Sequence, residues 1–142
     1  IELGLVGSEM CIRDSYEKAL AIKPDDPILQ NNYSWSLALR GERLDFATEL
    51  IDKALAAMPD NGAFLDTKGW VLYQSGDYEN ALIYIKKSLE VRDDSAEVWE
   101  HLGDVHEKLG NFEEAISAWQ KAFKMDDSRR TLLEKMEQLK ND

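Results

Sequence analysis

His101 and His106, with Asp104 between them, are the only imidazoles in the chain, and imidazole beside carboxylate is raw material for metal binding and proton transfer. Ligation from one helix wants ligands at i and i+4, on a shared face; a spacing of five turns the second away from the first. Zinc is therefore not expected, nor any other metal. Ser15, Ser75, Ser88 and Ser117 stand beside no His/Asp arrangement that would activate a hydroxyl as nucleophile. Asp93-Asp94-Ser95 has the opening acids of a calcium loop without its central glycine or closing glutamate. There is no glycine-rich phosphate loop and no strand to precede one, so no cofactor is expected. Catalytic residues are expected to be none, and the chain reads as something other than an enzyme.

The composition narrows the partners. The 28 acidic and 17 basic side chains give a net charge of −11, which opposes a phosphate backbone, so nucleic acid is not an expected partner. No apolar run approaches the roughly 18 residues of a membrane-spanning helix. Cys11 is the only cysteine and forms no internal disulfide. The opening residues resemble neither a signal peptide nor a transit peptide. The compartment is left open.

If there is no chemistry, the question becomes which elements build a surface. LDTKGWVLYQSGDYENALIYIKKSLEV, from Leu65, aligns with WEHLGDVHEKLGNFEEAISAWQKAFKM, from Trp99, at a constant offset of 34 residues. Gly69/Gly103, Gly76/Gly110, Tyr78/Phe112, Ala81/Ala115 and Ser88/Ala122 fall into register. One period earlier, Ser34, Gly41, Ala47, Ala54 and Pro59 follow the same pattern, with one extra residue between Gly41 and Ala47. Earlier still, YEKALAIKP matches only the end of a repeat. A fixed period of this length means stacked units that bury their apolar faces on one another.

The pattern resembles the tetratricopeptide repeat (TPR). Trp99, Leu102, Gly103, Ala115, Trp119 and Ala122 fit the motif best, while His106, Asp127, Lys68, Ser34 and Gln30 depart from it. The resemblance covers Tyr16 to about Arg129 and implies an all-α helix-turn-helix solenoid, a right-handed superhelix. It comprises a truncated repeat at 16–26, full repeats at 27–61, 62–95 and 96–129, and a capping helix at 130–142. Helices are expected at 27–40, 44–58, 62–75, 78–91, 96–109 and 112–125. Small residues at 47, 69, 81, 103 and 115 let the helices of a pair approach closely, and Gly41, Gly76 and Gly110 end the first helix of each. Leu132, Leu133, Met136 and Leu139 form one stripe suited to a cap.

The segment before Tyr16 carries none of the motif. Residues Leu5 to Ser15, LVGSEMCIRDS, resemble the translation of a transposon-based sequencing-library adapter. Residues 1–15 are therefore expected to be non-native, Cys11 to carry no biological meaning, and the natural protein to be longer, with at least one more repeat upstream. The half-repeat from Tyr16 to Ile22 would then be free to stack on a second chain.

In the resembled family the first helix of each pair lines the concave face, which places Asn31, Trp35, Asp66, Trp70, Tyr73, Gln74, Glu97, Glu100, Asp104 and Glu107 in a groove. Its early part offers indoles and a phenol, its last repeat four carboxylates. A peptide with an apolar anchor followed by Lys or Arg complements that gradient. Trp35 and Trp70 are equally readable as packing between neighbouring helices, and the acids as a solvated face. Chaperone-binding members of the family clamp an anionic C-terminus with basic residues. Asn31, Trp35, Glu97 and His101 occupy the corresponding positions here, the wrong charge for that ligand. The repeats are also similar to the C-terminal repeats of bacterial TPR proteins, some of the cell envelope. The expected function is a protein-interaction scaffold, with the recruiting tail of a larger enzyme as the alternative.

Overall fold

The computed structural model describes the backbone of residues 2–141 and the side chains from Ile12 to Asn141. Eight helices and no strand occur among the described residues: α1 (Glu2–Ile22), α2 (Pro27–Arg40), α3 (Leu44–Ala57), α4 (Gly62–Gln74), α5 (Tyr78–Val91), α6 (Ala96–Lys108), α7 (Phe112–Met125) and α8 (Thr131–Asn141). The six helices expected from the period are α2 to α7, each within one residue of its expected end. Residues 1–11, most of the segment read as adapter-derived, lie outside the described side chains.

Local chemistry sets the helix limits. Asp26 accepts from the N–H groups of Ile28 and Leu29 at 3.0 and 3.3 Å, with Pro27 at the first helical position. Asn61, Asp77 and Ser95 cap α4, α5 and α6 in the same way. At the far ends of α2, α4 and α6, Gly41, Gly76 and Gly110 adopt φ of 67°, 86° and 81°. The next N–H then reaches back to the carbonyls of Leu37, Leu72 and His106. This left-handed closure satisfies the last free carbonyls, and glycine adopts it without a Cβ clash.

Helices pack as the pairs α2/α3, α4/α5 and α6/α7, with α1 against α2 and α8 against α7. The pairs close tightly where one partner has no side chain. A Cβ on Gly69 would lie 2.5 Å from Ile85 Cγ1, and one on Gly103 would collide with the Trp119 indole, itself fully buried. Ala47, Ala81 and Ala115 are also fully buried. Leu132 and Met136 of α8 cover the end of the last pair against Trp119. The first helices α2, α4 and α6 touch one another in sequence.

Four of the five departures from the repeat motif, Ser34, Gln30, Lys68 and His106, have found a partner. Ser34, in the place of a glycine, donates its hydroxyl to the Ala47 carbonyl at 2.8 Å. Gln30 donates to the Pro24 carbonyl at 2.8 Å. Lys68, where leucine is usual, lays its stem along the core and brings Nζ within 2.7 Å of Asp52. His106 is buried, its Nδ1 3.2 Å from Asn111 Nδ2, and burial pushes its pKa down. The extra residue of the first turn is absorbed at Arg43. It takes a left-handed φ of 47° and lays its guanidinium 4.5 Å from the centre of the Phe46 ring.

Candidate functional site

The faces of α2, α4 and α6 meet around a cavity of about 240 Å³ lined by Asn31, Trp35, Asp66, Thr67, Arg92 and Glu97, among others. Four of these, Asn31, Trp35, Asp66 and Glu97, belong to the groove expected from the sequence, and they come from three successive repeats. Asn31 is 9% exposed. Its Nδ2 bonds to Asn32 Oδ1 at 3.3 Å, while its own Oδ1 is buried with no hydrogen-bond partner.

Against the lining residues Asp66 and Trp35 packs a residue the groove expectation omitted. His101 is 7% exposed, and its Nδ1 lies 3.0 and 3.1 Å from the two oxygens of the buried Asp66. Its ring stacks on Trp70, centroids 4.2 Å apart, with Trp35 at 5.6 Å on a tilt. Burial opposes a charge on this imidazole, but the Asp66 hydrogen bond and charge, helped by Glu97 and Asp104, outweigh it and raise the pKa. Asp66, Glu97 and His101 each bring a potential ligand atom within 4.8 Å of the others. The spacing of the two histidines does not reveal this grouping, because it is assembled from two different helices. In the structure the His101 Nδ1 is engaged by Asp66.

Trp70, Tyr73 and Gln74 of the expected groove act mainly within the fold. Trp70 lies against both Tyr73, at 4.3 Å, and His101. Burial, reinforced by Asp104 and Glu107, pushes the Tyr73 phenol up to about 12. Gln74 donates to the Ala38 carbonyl at 2.7 Å and so ties α4 to α2.

The four-carboxylate end also differs from the sequence expectation. Glu100 is held by Arg129 at 2.8 Å and Lys135 at 2.9 Å, and Asp104 by Lys135 at 2.8 Å and the Trp119 indole N–H at 3.1 Å. Burial opposes the Glu100 charge, yet the two cations hold its pKa below the usual range. For Asp104 burial wins over Lys135 and the pKa is raised. Glu97 keeps a longer contact of 3.8 Å to Arg129, and its side chain is 48% exposed. The cap region thus neutralises much of what the sequence presents as an acidic patch.

A family model for the tetratricopeptide repeat matches residues 67–129. The matched stretch carries tetratricopeptide repeats. A TPR repeat-containing protein of Pseudomonas aeruginosa is 37% identical over 83 residues, covering 58% of this chain and 14% of its own length. Another, from Methanocaldococcus jannaschii, is 36% identical over 116 residues, 82% of this chain and 20% of that protein. The chain thus spans a fifth or less of the curated TPR relatives it matches.

Solved structures share the TPR fold. MamA superposes with a TM-score of 0.74 at 14% identity, over 87% of this chain and 72% of that one. The first TPR of Spaghetti (RPAP3), bound to the HSP90 peptide SRMEEVD, gives 0.74 at 11% identity, over 81% and 90%. The Sgt2 TPR domain from Aspergillus fumigatus gives 0.72 at 18% identity, over 81% and 77%.

Proposed function

We propose that this TPR array is a protein-interaction scaffold without chemistry of its own. It binds a peptide or protein segment along the concave face made by α2, α4 and α6. The observation that carries the reading is the cavity in which Asn31, Trp35, Asp66 and Glu97 converge from three repeats. A surface that draws one or two side chains from each repeat suits an extended ligand. The peptide bound by the RPAP3 repeats supports the same mode here. Its acidic residues do not, since Asp66 and Glu97 line this cavity. The greater length of the curated relatives supports a further reading, that these repeats belong to a longer bacterial TPR protein in which they recruit a partner or, alternatively, an enzyme's substrate.

Peptide-display selection against the whole chain, followed by amide-shift mapping of the best binder, tests this. Shifts concentrated on α2, α4 and α6 are expected. Binders whose footprint falls on α3, α5 and α7 would sink the proposal.

A further inference from the structure

We propose that the cavity between α2, α4 and α6 is the seat of an arginine side chain presented by the partner; this rests on the interaction reading above. Asn31 carries an unmet acceptor. Asn31 lines the cavity, is 9% exposed, and leaves Oδ1 buried with no donor. Buried polar atoms are almost always paired, so a carbonyl left in this state beside a cavity calls for a donor from outside.

The other walls ask for the same thing. A carboxylate offers about four acceptor positions, and Asp66 directs both oxygens at a single atom, His101 Nδ1, leaving capacity on each. Glu97 stands at the mouth, 48% exposed, its one ion pair among the described residues a 3.8 Å contact to Arg129. Arg92 is the cation lining the cavity, but its side chain is 68% exposed and its Nε is engaged by Asp94 at 3.0 Å. The imidazole of His101 is turned to Asp66. Apart from the remaining N–H groups of the mostly exposed Arg92, the unspent functions around the space are the acceptors of Asn31, Asp66 and Glu97.

Size and shape select the donor. At about 30 Å³ for each water, a cavity of about 240 Å³ is far too large for a bare ion and suits the end of a long side chain. A guanidinium carries five donors in a planar fork that matches carboxylates and lies flat on an indole. Trp35 supplies the indole wall, and Asn31, Asp66 and Glu97 supply acceptors on more than one side. An ammonium would use the charge but neither the fork nor the plane.

The test is a nuclear magnetic resonance titration of the whole chain with N-acetyl-arginine amide, N-acetyl-lysine amide and N-acetyl-citrulline amide, the last keeping the shape of arginine without its charge. Arginine amide is expected to move the Trp35 indole and Asn31 side-chain amide resonances saturably, lysine amide to bind about fivefold more weakly, and citrulline amide to leave them in place. Glu97→Gln, on an exposed position, and Trp35→Phe should each weaken the arginine response about fivefold or more without altering the amide fingerprint elsewhere. Equal responses to arginine and citrulline, or an arginine response that ignores both variants, overturn the inference. A chain that binds display-selected peptides along α2, α4 and α6 yet ignores arginine amide also overturns it and leaves the scaffold reading standing. A chain that seats arginine amide but binds no peptide along that face upholds the seat and defeats the scaffold.

Discussion

His101 Nδ1 lies 3.0 Å from Asp66 Oδ1, and the two residues sit on α6 and α4, the first helices of successive repeats. Both side chains are more than nine-tenths buried. This pair, together with the stack of His101 on Trp70, joins the first helices of the second and third repeats beside the candidate site. Its strength depends on a proton.

The folded chain holds that proton more tightly than the unfolded one, since the His101 pKa is raised from 6.5. The stabilisation is therefore complete below the unfolded value of about 6.5 and is lost as pH rises through the folded-state pKa. The melting temperature of the wild type should exceed that of His101→Gln most at about pH 5.5 and converge toward it by about pH 9. A gap that widens with pH would contradict the pairing. Asp66→Ala should cost about 3–5 kcal/mol at acid pH, where it strands a charged imidazole, and less at alkaline pH.

Lys135 serves two acids at once. Lys135→Met leaves Asp104, whose side chain is 11% exposed, with only the Trp119 indole for a partner. The Asp104 carboxyl then prefers its proton in the folded chain more strongly than in the unfolded one, so the penalty appears as pH rises above the carboxylate range. About 1–3 kcal/mol is expected at neutral pH, because Lys135 is itself partly solvated, and little below about pH 4. Denaturant melts at both pH values check it.

Two glycines test two different constraints. Gly103→Ala drives a methyl group into the Trp119 indole and should cost about 1–3 kcal/mol or more through overpacking. Gly110→Ala meets open space but keeps φ at 81°, so its cost should be only about 1 kcal/mol of backbone strain. Equal losses in thermal melts would refute the close approach of α6 and α7.

The sequence treats Trp35 and Trp70 alike, whereas the structure separates them. Trp70 is stacked on Tyr73 and His101, so Trp70→Ala should destabilise by about 3 kcal/mol. Trp35 lines the cavity, and Trp35→Ala should lose ligand binding with a melting shift less than half as large. Paired melting and peptide-binding measurements decide between them.

Helix positions were legible because glycine stops and small contact residues recur at a fixed offset, and each local signal agrees with the packing. Even the misfit at the first turn was visible as one extra residue, although only the backbone shows that Arg43 absorbs it. The Asp66–His101 pair was hidden for a different reason. A histidine's role depends on which residue the neighbouring helix places opposite it, and periodicity gives the face without the partner. The neutralised acids of α6 were hidden because Arg129 and Lys135 lie in the cap region, where the repeat no longer predicts what meets what. A groove charge read from its own helices alone therefore came out too negative.

The left-handed Arg43 holds a wider lesson about this chain. An added residue between α2 and α3 leaves α2 still touching α4, and Gln74 still bound to the Ala38 carbonyl. Alignment of α2 with α4 is therefore insulated from the count of residues in the α2–α3 hairpin. Mutation can lengthen a hairpin at the rim and try new surface there while the stacking of the first helices stays fixed.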